Sequence, residues 1–326
     1  MSTHTSKPRL DDWLLELTPF VTSPSNRVYP NGRQQVEVTV LVESRSRHPL
    51  KPEERASVRL MVRDRLGRFS PLPEGREASL PWFFSHTRNA YLEYPGTQKR
   101  EQAASPSEVY TPGFYVSAGK LDLGQSLETL YVGITRYTDE GQYEYVTDGT
   151  EPGFNGNVEV RTAEIPTFQA PGNYTFERTL TAGDGASDIF TWEYALAGAN
   201  VQQPVVRFVS GHMVPAGMIQ WSDRNSSVTQ ASNVGYAPPN EATFHYNPAI
   251  KLGDFFKPVA QAKNPKAGHL TIVLQGSNNI PYDSQSAINQ NGPCVVKAVD
   301  VYGNDHELRV SFKGSSPAGR FELVLA

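Results

Sequence analysis

Val36, Val38, Val40 and Val42 alternate with Glu37, Thr39, Leu41 and Glu43. Successive side chains of an extended strand point to opposite faces, so this spacing builds one apolar face and one largely wet face. Pro30-Asn31-Gly32, just before it, supplies turn chemistry. Comparable β-rich runs recur at 57–62, 127–137, 142–146 and 157–162 in the first half. In the second half they occupy 173–180, 188–194, 205–209, 270–274, 295–301, 307–312 and 320–325. Thr138-Asp139-Glu140-Gly141 lies between two such arms and predicts a hairpin. A single short helix is expected near the start, where Asp11 or Asp12 caps Trp13-Leu14-Leu15-Glu16-Leu17 and Pro19 stops it. The stretch 95–113 reads as a long polar loop, and 222–243, rich in Ser, Asn and Gln, predicts no element.

The pattern predicts an all-β protein of two antiparallel β-sandwich domains with long loops. Residues 1–26 form a tail carrying the short helix, 27–163 the first domain, 164–172 a linker and 173–326 the second domain. One local echo spans the halves. Asp64-Arg65-Leu66-Gly67 and Asp300-Val301-Tyr302-Gly303 each follow a strand and precede another.

Composition narrows the picture. Hydrophobic residues make up 38% and charged residues 20%, which is enough apolar material for real cores and too little charge for general disorder. Gly 26 and Pro 25 fit a chain with frequent turns. The one cysteine, Cys294, cannot form an internal disulfide and reads as a small buried hydrophobe. The N-terminus carries no apolar h-region, and no run approaches the ~18 apolar residues of a membrane helix. The expected location is cytoplasmic, or outside after release without a classical signal peptide.

The net charge of −4 is uneven: residues 1–100 carry +5, residues 101–200 carry −11 and residues 201–326 carry +2. The acidic middle reads as a solvated surface or a docking face for a basic partner. The small, scattered basic excess argues against nucleic acid as a partner.

Val295-Val296-Lys297-Ala298-Val299-Asp300-Val301-Tyr302-Gly303-Asn304 resembles the late hairpin of bacterial immunoglobulin-like sandwich domains, with their V-x-A-x-D-x-x-G-N pattern. The run 33–42 is similar to the early strand of such domains. The resemblance covers about 30 residues. It implies binding or spacer work and supplies no catalytic residue.

The chain carries few signatures of chemistry. There is no H-E-x-x-H, G-x-S-x-G, Walker loop or Rossmann fingerprint. His4, His48, His86, His212, His245, His269 and His306 show no metal-ligand spacing and read as surface or capping residues. Asp184 and Asp188 bracket a Gly and offer a Ca²⁺ site of too few oxygens, since Ca²⁺ takes about six to eight. Trp82, Phe83, Tyr91, Tyr94, Tyr110, Phe114 and Tyr115 flank the Pro/Gly loops of the first half. Exposed, such rings stack on sugars or anchor a protein partner.

The leading expectation is a non-enzymatic binding or structural protein that holds a protein or glycan through strand-end loops. One alternative is a β-pore-forming or membrane-acting toxin. Its membrane-active segment would be 217–234, with Met218, Ile219, Trp221, Val228 and Val234 as its apolar positions. The other is a carbohydrate-active hydrolase, whose paired carboxylates the sequence does not single out.

Overall fold

A computed structural model describes residues 15–44, 50–76, 81–96, 109–110, 113–119, 126–184, 189–200, 204–223, 230–254, 256–278, 280–314 and 317–326. The regular secondary structure of the described residues is almost all β-strand, arranged in antiparallel sheets with one parallel pair. It divides into two compact units, Met1–Ile165 and Pro166–Ala326.

In the first unit, one sheet is built from β1 (Leu15–Val21), β3 (Val36–Ser44), β6 (Trp82–Ser85), β7 (Val109–Tyr110) and β8 (Gly113–Ala118). The other contains β2 (Arg27–Val28), β4 (Arg59–Arg63), β5 (Phe69–Pro71), β9 (Leu127–Thr138), β10 (Gly141–Val146) and β11 (Asn157–Thr162). A short helix α1 (Pro52–Ala56) precedes β4. Val36, Val38, Val40 and Val42 of one sheet and Leu130, Val132 and Ile134 of the other are all fully buried and share one core. The alternation on β3 thus does what its spacing requires: even positions enter the core and the odd ones between them stay half-exposed. β9 and β10 form the hairpin expected at 138–141, with Thr138 opposite Gly141.

The helix expected over 13–17 is not what Leu15 to Leu17 form. They open β1, which pairs with β3 from Leu15 opposite Ser44 to Val21 opposite Val38. Leu15, Leu17 and Pro19 are buried while Thr18 is exposed, so a period of two overrides the helical reading of this short apolar run. Pro19 is tolerated because β1 is an edge strand, where a missing N–H breaks no ladder. Asp11, Asp12, Trp13 and Leu14 lie outside the described residues.

The second unit holds β12 (Tyr174–Gly183), β13 (Phe190–Gly198), β15 (Ile219–Trp221), β16 (Ala231–Ala237), β17 (His245–Tyr246) and β18 (Leu270–Ser277) in one sheet. β14 (Phe208–Val214), β19 (Cys294–Asp300), β20 (Asp305–Phe312) and β21 (Leu323–Leu325) form the other, and α2 (Ser284–Asn289) lies between β18 and β19. Leu196, Leu270, Ile272 and Leu274 meet Val296, Leu308 and Val310 in its core. Pro166–Gly172, read as linker, belongs to this unit, and Phe168 packs on its core. The polar stretch 222–243 contains β16, every residue of which is buried. Two smaller clusters explain this. Ile250 and Phe256 cover Ile219, Trp221 and Ala231, while Phe244 and Ala262 cover Ala237 and Val273.

Candidate functional site

The loop 86–96 of the first unit is irregular in backbone and tightly anchored. Its supports are two consecutive buried amides ahead of β3. Gln34 accepts the Tyr29 N–H at 2.7 Å and donates to the Leu92 carbonyl at 3.0 Å. Gln35 accepts the Asn89 N–H at 2.8 Å and donates to the Thr87 carbonyl at 3.3 Å. The Asn89 side chain in turn donates to the Arg33 carbonyl and accepts the Tyr91 N–H. The buried Ser23 hydroxyl donates to Glu93 at 2.8 Å. Gly96 closes the loop against Pro24, where a Cβ would lie 2.4 Å from the Pro24 carbonyl oxygen. Such anchoring fixes the conformation before any partner arrives, which lowers the ordering cost of binding.

This loop presents Leu92, 51% exposed, between the half-buried Tyr91 and Tyr94. Tyr94 meets the Tyr29 ring edge-on with centroids 5.1 Å apart. The other aromatics divide. Phe83 and Tyr115 are half-buried on β6 and β8. Trp82 and Phe114 are core residues, 2% and 1% exposed, and so are corrected from binding rings to packing: each occupies the inward phase of its strand. Tyr110 lies on β7, and its side chain is outside the described residues.

The second unit carries an open depression of about 410 Å³ on the outer face of its smaller sheet. Cross-strand register sets its two rows, Ser210–Val299–Asp305 and His212–Lys297–Glu307. Lys297 stands 3.8 Å from Glu307 on an exposed face, a weak pairing. Residue types of both charge signs and a hydroxyl line a shallow apolar floor, which suits a polar ligand without selecting one.

Under that face lies a closed polar network. Asp300 accepts the N–H groups of Tyr302 and Asn304, the Asn304 side-chain amide at 3.1 Å and His306 Nε2 at 3.2 Å. His306 Nδ1 stands 3.2 Å from the Tyr174 hydroxyl. A carboxylate only accepts, so Nε2 carries a proton, and in the neutral ring Nδ1 accepts from Tyr174. Burial, reinforced by the Asp300 charge, pushes the Tyr174 hydroxyl up to about 12, so it stays a donor at neutral pH. Phe168 and Phe208 close over the imidazole. With the His306 and Asp300 side chains 0% and 1% exposed, the network is shut off from solvent and braces the fold. His306 is therefore corrected from a surface residue to an interior one. Its alternating place on β20 put it inward, and the D-x-x-G turn supplied its partner.

The other expected positions resolve as follows. Met218, Ile219, Trp221 and Val234 are buried in packed clusters, so reaching a membrane would require the sheet to come apart. Val228 lies outside the described residues. Asp184 is exposed and Asp188 is not described. Among the described residues, no group of three or more His, Cys, Asp or Glu side chains is placed to hold a metal ion. Cys294 is fully buried, and burial pushes its thiol up to about 12.

No protein-family model matches the chain, and no curated protein matches it. Among solved structures it is similar to the adhesin InvE of Yersinia pseudotuberculosis, at 13% sequence identity and a TM-score of 0.21. That alignment covers 90% of this chain and 59% of the adhesin, so the chain spans 59% of that protein's length. At that TM-score the likeness carries no argument.

Proposed function

We propose that the protein is a binding or structural module that holds a protein or glycan partner through strand-end loops, with loop 86–96 as the principal contact. The observation that carries this reading is the anchoring of that loop by Gln34, Gln35 and Ser23, with Leu92 left half-exposed beside two tyrosines. An apolar tip flanked by rigid aromatics on a fixed backbone is the arrangement that concentrates binding energy in few residues. We read each unit as an elaborated immunoglobulin-like sandwich. Two sheets sharing one core, and the Asp300 turn between β19 and β20, support that reading.

The test is a screen of the intact protein on a glycan array and against a displayed-peptide library, with hits measured by calorimetry. Tyr91→Ala and Leu92→Asp are expected to weaken a genuine hit at least about tenfold, roughly 1.4 kcal/mol, without moving the melting midpoint. Hits indifferent to both substitutions would remove the loop from the reading. A measured turnover on any hit would replace binding with catalysis.

A further inference from the structure

We propose that the outer face of the larger sheet in the second unit holds a buried ligand site, built on Asn233 and Trp221, for a small neutral hydroxylic molecule. The argument starts from Asn233, which is 1% exposed. Its register partners are Ile219 on one side and Gln275 on the other, so all three share the outer face of the sheet. Among the described residues, neither the amide nitrogen nor the amide oxygen of Asn233 has a hydrogen-bond partner. Trp221 lies two residues beyond Ile219 on the same face, is 5% exposed, and has an indole N–H with no partner among the described residues. Buried polar groups are matched in the great majority of cases, because an unmatched one carries its full desolvation cost. Unmatched donors and an unmatched acceptor on one covered face point to a molecule that serves both.

The cover is formed by residues 238–254 and 256–268. Gln275, beside Asn233, accepts the Val259 N–H at 2.9 Å and donates to the Lys257 carbonyl at 3.1 Å. Glu193, buried on the neighbouring strand, accepts the N–H groups of Lys263 at 2.9 Å and Asn264 at 3.4 Å. Ile250 and Phe256 of the same segment pack on Ile219 and Trp221. Asn233 is thus enclosed by apolar walls and by side chains already committed to the strap.

The chemistry selects the ligand class. An amide offers two donors and an acceptor, and an indole offers one donor. A hydroxyl accepts from Nδ2–H and donates to Oδ1, whereas a charged ligand would lose its hydration among apolar walls. Water and a short polyol share this chemistry, and exchange of either requires the strap to lift from Glu193 and Gln275.

The test uses crystals of the intact chain grown without polyols and a second set soaked in ethylene glycol. Density within hydrogen-bonding distance of both Asn233 amide atoms is expected in each. A water peak that persists after soaking identifies water, and its replacement by diol density identifies a polyol site. Protein atoms bonded to the amide, or no density beside it, would overturn the proposal. In parallel, Asn233→Val should lower the melting midpoint of the second unit by a few degrees and Asn233→Ser by less. If Asn233→Val instead melts higher, the amide is a simple burden and the site is refuted. Should Asn233→Val fail to fold, Asn233→Ser and the wild-type density still decide.

Discussion

Asp64 and Asp300 occupy the same position in the same hairpin, once in each unit. Each donates its N–H four residues on, Asp64 to Arg68 at 2.9 Å and Asp300 to Asn304 at 3.0 Å. Each accepts two N–H groups at Oδ1, from Leu66 and Arg68 in one case and from Tyr302 and Asn304 in the other. Gly67 and Gly303 close the turns at φ 82° and 86°, where a side chain would be strained. The surroundings differ. Asp64 is exposed and takes the Arg68 guanidinium at its second oxygen, whereas Asp300 is fully buried and takes Asn304 and His306.

One motif in two environments predicts unequal costs. Asp300→Ala should destabilise the second unit by about 3 kcal/mol or more, because it strips a buried histidine and two turn amides of their acceptor. Asp64→Ala leaves groups that water can reach, and the first unit should lose far less. Urea titrations of both variants make the comparison, and equal losses would contradict it.

Glu128 on β9 is partly buried, and desolvation raises its carboxyl above the usual range. The folded state therefore binds the proton more tightly than the unfolded one. Its contribution is favourable at low pH and is lost as pH rises from the unfolded value through the folded one. Glu128→Gln should make the first unit more stable at neutral pH and leave it little changed near pH 4. Thermal melts across that range check it; a variant less stable at neutral pH would contradict the burial argument.

Alkali should act on the second unit. Tyr174 and Cys294 are both pushed up to about 12 by burial, and Tyr194 and Tyr246 are raised for the same reason. Each is neutral when protonated, so the stability they hold is complete below their ordinary values. It falls as pH climbs between the ordinary value and the folded one, about 10 to 12 for Tyr174. Tyrosinate absorbance should therefore rise in two stages, with a late fraction coincident with loss of β structure. A single unperturbed titration would be inconsistent with these burials.

The buried Cys294 thiol should resist disulfide exchange in the native chain at about pH 8 and react stoichiometrically once denatured. Fast native-state modification by a thiol reagent would mean that the core around Val296 and Val310 opens readily.

Much of the fold was legible because strands announce themselves locally. The valines of β3, the 138–141 hairpin and the two Asp-x-x-Gly turns each carry their own signal. Leu15 to Leu17 misled because so short an apolar run fits either period, and only pairing with β3 decides between them. β16 was unreadable for a different reason. Ala231, Ser232, Asn233 and Gly235 look like surface, and they are interior because a distant segment covers the second face. The candidate loop was legible in its tyrosines alone. Its rigidity resides in Gln34 and Gln35, whose partners in the loop lie more than fifty residues away.

β16, covered on both faces, also has a consequence for how the sheet finds its alignment. In a half-wet sheet, a one-residue slip is resisted by one face alone. Here a slip that puts Asn233 in the place of Val234 would drive the amide into the main core and move Val234 beneath the strap, into the place of Gly235. It would also carry Ser232 away from the buried Arg320 guanidinium, to which it is bonded at 3.3 Å. Both faces thus reject the same error, and the polar residues that disguise this strand in the sequence act as its index marks.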